Sequence, residues 1–407
     1  MKKNLIPVIL ITGLIILGVF LYNQDASKTE KSADNQIKIG IILGFTGPIE
    51  SLAPVMAKSA ELAIDEVNKS GNFMDGAQLM AVRADSTCVD AAAAQAAAER
   101  LITSDKVSAI MGADCSGVTT AVLKNVAIPN GILMISPSAT SPALSTEPDN
   151  DLFFRTTPSD ARQGEVIADL LMEKGFKTAA LTHTNNDYGK GLAASIKSNY
   201  EAKGGTITIS ASHEDGKGDY SSEVAALAQA SGDILIVAGY LDQGGKGIIQ
   251  ASLDADAFNK FFLPDGMIGD SLPKAIGPDL NGSIGSVPGT DSPGAAKYSE
   301  LAKAAGFESG PYGPESYDAA ALIMLAMEAA KSTDSNVFKN NVMDIANAPG
   351  EKIYPGELSK ALKLIKEGKD IDYVGATALE LVGSGESSGS FAEILIDNQK
   401  TNKVGYR

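Results

Sequence analysis

Two hydroxyl-rich turns, Gly112-Ala113-Asp114-Cys115-Ser116-Gly117-Val118-Thr119-Thr120 and Ser136-Pro137-Ser138-Ala139-Thr140, follow the apolar runs Val107 to Met111 and Ile132 to Ile135. Turns just past strand ends are where an open α/β sheet holds small molecules. The first turn reads into a helix at Ser116, so its unpaired N–H groups and the positive end of its dipole face an anion, most simply a carboxylate. The second offers Ser138 and Thr140 at the neighbouring strand end. No general base stands near either turn in sequence, so the hydroxyls suit holding a ligand and not attacking one. The two histidines, His183 and His213, show neither paired metal-ligand spacing nor a nucleophile–base arrangement. His183 ends a strand near the cleft, and His213 with Glu214 reads as a solvated polar loop. No catalytic residue, metal or cofactor is therefore expected. Gly244, Gly245 and Gly247 match neither phosphate-loop spacing and read as a turn that opens a helix.

These turns need a scaffold, and from Ile37 onward short β-branched runs alternate with helical stretches, the pattern of a parallel sheet covered on both faces. The first series has strands at Ile37 to Leu43, Gln78 to Ala84, Val107 to Met111 and Ile132 to Ile135, with helices at Ser51 to Lys69, Asp90 to Thr103 and Ser116 to Ala127. Pro142, Pro148 and Pro158 are expected to keep Pro137 to Pro158 irregular. A second series has strands at Thr178 to His183, Thr206 to Ala211, Ile234 to Ala238 and Phe261 to Leu263, with helices at Asp160 to Lys174, Tyr188 to Lys203 and Tyr220 to Ala230. A Gly/Pro-rich passage, Gly277 to Pro293, returns the chain to helices at Ala295 to Ala305, Ser316 to Lys331 and Gly356 to Lys366. Strand-like segments at Ala376 to Leu381 and Phe391 to Ile396 come last. The order implies two Rossmann-like α/β lobes joined by more than one crossing, with a ligand cleft between them. The expected division is 37–157 plus 286–377 for lobe 1 and 158–285 plus 378–407 for lobe 2.

The 407 residues exceed what one core usually supports, and 44% apolar with 21% charged residues is ordinary for a globular protein. A net charge of −16 with no Lys/Arg-rich patch disfavours nucleic acid as a partner. Met1-Lys2-Lys3 followed by the uncharged run Leu5 to Tyr22 has the basic start and apolar body of an export signal. The run is at the lower edge of a bilayer span, so residues 1–22 are either a cleaved signal peptide or a retained membrane anchor. Residues 23–36 read as a polar tether. Export places the two cysteines, Cys88 and Cys115, in an oxidising compartment, where such a pair is expected to be joined.

In order and spacing, the motifs resemble the type I periplasmic solute-binding proteins of ABC importers, in particular the leucine/isoleucine/valine receptors. They are Thr46-Gly47-Pro48, Asp85-Ser86-Thr87-Cys88, Gly112 to Ser116, Gly131 to Thr140, Phe154-Arg155-Thr156-Thr157, Asn185 to Gly191, Gly239-Tyr240 and Tyr317-Asp318-Ala319. The resemblance covers roughly residues 37–400. It implies that Ser116 and Thr140 hold a ligand carboxylate with help from the backbone at Ser138 and Ala139. Across the cleft, Tyr188 and Tyr240 contact the amino acid, and Asp265 takes the ammonium where relatives carry a longer carboxylate. Leu52 stands near the position of an aromatic ring in relatives, with Glu50 beside it. An aliphatic wall there suits Leu, Ile or Val, whereas an inward Glu50 suits a polar or basic tail. The implied protein is an extracytoplasmic monomer that captures an amino acid and delivers it to an ABC permease and its ATPase subunits. A membrane-anchored sensing receptor, or a receptor for a polar amino acid or small amide, is the alternative.

Overall fold

The computed structural model describes residues 36–407, so the expected signal or anchor and nearly all of the tether lie outside the described residues. The chain opens with β1 (Gln36–Leu43), α1 (Ala53–Ser70), β2 (Gln78–Asp85), α2 (Ala91–Thr103), β3 (Ala109–Gly112), α3 (Ser116–Val122), β4 (Met134–Ser136) and β5 (Phe153–Pro158). Local chemistry sets the helix ends. Asp90 accepts hydrogen bonds from the N–H groups of Ala92 and Ala93 to start α2, and α1 stops at Gly71, whose φ of 62° suits glycine.

The second series comprises α4 (Asp160–Glu173), β6 (Thr178–Thr184), α5 (Asp187–Ala202), β7 (Thr206–His213), α6 (Ser221–Ala230), β8 (Ile234–Ala238), α7 (Gly244–Asp254), β9 (Phe261–Leu263), α8 (Ser271–Ile276) and β10 (Ile284–Pro288). The glycine-rich Gly244 to Gly247 thus opens a helix, as its spacing suggests. The chain then runs through α9 (Pro293–Ala304), α10 (Gly313–Ala330) and α11 (Leu358–Lys366), and through strands β11 (Glu351–Ile353), β12 (Ile371–Tyr373), β13 (Leu381–Val382), β14 (Glu386–Ser387), β15 (Phe391–Asp397) and β16 (Lys400–Tyr406).

Two seven-stranded sheets result, in the orders β13-β14-β5-β4-β3-β1-β2 and β16-β15-β10-β9-β8-β6-β7, with β11 and β12 paired apart. Within the first sheet β1 to β5 are parallel, and in the second β6 to β10 are. α10 is buried from Glu315 through Glu328, which fits a helix apolar on every side.

Several expectations change. Phe153 to Pro158, expected to be irregular, is a fully buried strand paired with Met134 to Ser136; Pro158 ends it without breaking it. Ile284 to Pro288 is likewise a buried strand inside the Gly/Pro-rich passage. Residues 376–378 are turn and 379–380 are irregular, so only Leu381–Val382 is strand. The pairing of β14 with β5 puts 381–387 in the first sheet and not with the second lobe, so the last crossing falls at 388–390. The whole of β10 pairs in the second sheet, which moves the middle crossing to 289–292. Asp318 secures the returning segment, its carboxylate accepting from the Tyr373 hydroxyl at 2.8 Å and from the backbone N–H groups of Ala376 and Thr377.

Candidate functional site

The ends of β1, β2 and β3 are tied together beneath the first turn. The buried Asp114 carboxylate accepts from the Gly44 N–H, the Ser86 hydroxyl at 2.8 Å and the Cys115 N–H at 3.0 Å. The Cys88–Cys115 disulfide, 27 residues apart in sequence, clamps the same corner. α3 then starts at Ser116. The cap residue Cys115 makes no side-chain hydrogen bond to the first turn, so the leading N–H groups are not satisfied by a cap. The helix continues past Val122 through a π turn, Leu123–Ala127, to Asn130.

The second turn is folded on itself. Ser136 Oγ accepts from the N–H groups of Ser138 at 3.3 Å and Ala139 at 2.9 Å, so the expected backbone donors there are already engaged. The Ala139 carbonyl accepts from the buried Arg155 guanidinium, and Ala139 is not in the cavity wall. The Ser138 hydroxyl donates to the Asp114 carbonyl at 3.0 Å, and the Ser116 hydroxyl accepts from the Ser141 N–H at 3.1 Å. Thr140 Oγ1 is buried without any hydrogen-bond partner, directly behind this wall. An unpaired buried hydroxyl is costly unless something completes it.

The second lobe supplies the opposite wall from three strand ends. Tyr188 stands in the first turn of α5, Tyr240 follows β8 and Asp265 follows β9. The rings of Tyr188 and Tyr240 stack with centroids 5.2 Å apart. The Tyr188 hydroxyl donates to Asp265 Oδ1 at 2.8 Å and accepts from the Gly266 N–H at 3.2 Å. Asp265 Oδ2 accepts from the Tyr312 hydroxyl, which comes from the loop before α10. Burial pushes the Asp265 carboxyl up, while these hydroxyl donors pull it down. Gly266 must be glycine, because a Cβ would come within 2.6 Å of the Gly239 carbonyl and 2.9 Å of the Tyr188 hydroxyl.

Between the walls lies a small cavity of about 20 Å³, room for about one water with the lobes closed on it. Ser116, Ser138, Tyr188, Tyr240, Asp265 and Leu52 all line it, so the structure brings together six of the eight residues expected to bind, with Thr140 and Ala139 behind. Ile49, Leu52 and Met56 make one apolar side. Glu50 is exposed and points no charge into it. Tyr312 was not visible from any motif, nor was Asp160, whose fully buried carboxyl faces the Thr140 hydroxyl.

The lobes also clasp each other. Asp242 in the second lobe accepts from the Ser51 N–H at 2.9 Å and from the Ser271 hydroxyl at 2.7 Å, and its N–H donates to the Pro48 carbonyl at 3.0 Å. His213 is not solvated as expected. It is 2% exposed at the end of β7, shares a 2.8 Å hydrogen bond with the Thr182 hydroxyl, and burial pulls its pKa down to about 4. No group of three or more potential metal ligands is assembled among the described residues. Nor is any described helix long and apolar enough to cross a membrane.

Residues 36–347 match the family model described as periplasmic binding protein. The leucine-, isoleucine-, valine-, threonine- and alanine-binding protein of Pseudomonas aeruginosa is 30% identical over 260 residues, 63% of this chain and 67% of that one. A chemotactic signal transduction system substrate-binding protein, BasB, of Halobacterium salinarum is 25% identical over 397 residues, covering 92% of this chain and 91% of its own. Among solved structures, the branched-chain amino acid transporter substrate binding protein LivJ from Streptococcus pneumoniae, in complex with isoleucine, superposes with a TM-score of 0.76. It is 23% identical and covers 91% of this chain and 99% of that one, which is a likeness of fold.

Proposed function

The chain belongs to the periplasmic binding protein family, and from that premise we propose that it is the extracytoplasmic receptor of an ABC importer for an aliphatic amino acid. One observation carries the reading. A helix start with uncapped N–H groups and the Ser116 hydroxyl face, across one small cavity, a carboxylate held by tyrosines, with an apolar side of Ile49, Leu52 and Met56 between them. That is the complement of an α-amino acid: donors for its carboxylate, an acidic group for its ammonium, and aliphatic surface for its side chain. A zwitterion taken out of water needs both ends met. Each charge-assisted hydrogen bond is worth on the order of 1.5–3 kcal/mol.

Ser116, Ser138 and Thr140 take the carboxylate, Thr140 supplying its unpartnered hydroxyl once the wall adjusts to ligand. Asp265, Tyr188 and Tyr240 take the ammonium end. The exposed Glu50 leaves the side-chain region apolar, which supports leucine, isoleucine or valine over a basic amino acid. The ligand touches both lobes and so favours their clasped arrangement, and a permease reads that closure. The lobes divide at 158–159, 289–292 and 388–390. A sensory receptor is the second reading, supported by the similarity to BasB along most of both chains. The same cleft serves either role, and either a cleaved signal or a retained anchor at residues 1–22 suits both.

A thermal-shift screen of the twenty L-amino acids, followed by calorimetry on each hit, tests the ligand class. At a hundredfold excess over its Kd, a ligand adds about 2.7 kcal/mol of stability. Stabilisation by leucine, isoleucine or valine is the expected result, and silence across every amino acid contradicts the reading.

A further inference from the structure

A second groove, about 590 Å³, lies beside the cleft and shares Leu52 and Tyr312 with it as a common wall. Both lobes build it. Leu52 and Val55 come from the first lobe, Ile268 and Ile394 from the second, and the crossing segment Val287 to Thr290 closes one side. Nothing in amino-acid capture uses this space.

Two polar groups with no partner line it. Glu315, in the first turn of α10, is 2% exposed and its Oε2 has no hydrogen bond; Thr401 Oγ1, on β16 in the other lobe, is also buried and unbonded. Lys403 stands two residues further along the same strand and therefore on the same face, at the exposed rim. A carboxyl sealed from water with an idle oxygen is destabilising unless an absent group completes it. Burial and the nearby Asp318 push Glu315 up to about 8, with Lys403 opposing. An arriving cation would bring it back to the ionised form.

We propose that this groove is a second small-molecule site, specific for a primary ammonium compound with a short apolar chain. The ammonium sits between Glu315 and Thr401, and the chain lies along Leu52, Val55, Ile268 and Ile394. Lys403 at the rim offers a counter-charge to an anionic far end. The site differs from the cleft in chemistry, because it needs no carboxylate on its ligand. It also draws on both lobes, with Glu315 on one side and Thr401 on the other.

The test is calorimetric titration of n-butylammonium chloride into the full chain, with sodium butyrate and tetramethylammonium chloride as controls for anion and bulk charge. Butylammonium has no carboxylate for the donors at Ser116, so failure of the amino-acid reading and failure of this one are separable. The expected result is saturable binding of one butylammonium per chain, weakened at least tenfold by Glu315→Gln and severalfold by Thr401→Val, and unchanged within twofold by Ser116→Ala. Thr401→Val guards against a Glu315 variant that fails to fold. Absence of saturable binding overturns the proposal. So does binding that survives both groove substitutions but is lost on Asp265→Asn, since that would put the amine in the cleft.

Discussion

At the scale of single residues, the account rests on groups whose hydrogen-bonding capacity is unspent. Thr140 is buried with an unbonded hydroxyl, whereas Ser138 and Ala139 have committed their N–H groups to Ser136. Thr140→Ala should therefore weaken amino-acid binding at least tenfold, about 1.4 kcal/mol, as read by calorimetry. Asp265→Ala should weaken binding by at least as much, because it removes the acidic group and frees Tyr188 and Tyr312 together. His213 makes a separate prediction about stability. Its pKa is near 6.5 unfolded and about 4 folded, so between those values the unfolded chain binds the extra proton. Stability from this residue is complete above pH 6.5 and is lost as pH falls toward 4, on the order of 3 kcal/mol. Chemical denaturation across that range should show the slope in the wild type and a shallower one in His213→Gln.

At the scale of elements, the corner built by β1, β2 and β3 fixes the carboxylate-binding turn. The Cys88–Cys115 disulfide closes a loop of 27 residues there, and the double Cys→Ser variant should lose about 3.5 kcal/mol on the chain-entropy model. Denaturant titration in oxidising and reducing buffer checks this, and a variant as stable as the oxidised wild type would refute it. Most of the lobe-forming strands and helices were legible because their periodicity is regular, the turn residue Ser116 was legible because it sits where a strand ends, and Tyr188 and Asp265 were legible only through the family resemblance. β5 and β10 were not. Both are buried on both faces, so they lack alternation, and Pro158 and Pro288 at their ends read as breakers when they are terminators. Tyr312 and Asp242 were invisible for another reason: Tyr312 meets Asp265, and Asp242 meets Ser51, only through the packing of one lobe on the other. His213 was misread because its polar neighbours hide a strand end covered by Tyr220 and the first turn of α7.

At the scale of the whole molecule, function is a choice between lobe arrangements that ligand and clasp both influence. Asp242 joins the lobes through Ser51 and Pro48 without lining the cavity, and Ser271 in its own lobe holds its carboxylate. Asp242→Ala should lower amino-acid affinity severalfold through easier opening, and small-angle scattering should show a larger radius of gyration for the ligand-free variant than for the wild type. Equal radii would mean that the contact does not hold the lobes. The central claim is that each lobe grips one end of a single amino acid. The most direct test is calorimetry on protein stripped of ligand by unfolding and refolding, comparing L-leucine with 4-methylpentanoate, which lacks the ammonium, and with L-leucinamide, which lacks the carboxylate. The account predicts one leucine per chain and a loss of at least tenfold for each analogue. Binding of 4-methylpentanoate as tight as that of leucine would contradict it, because Asp265 and the tyrosines would then recognise nothing.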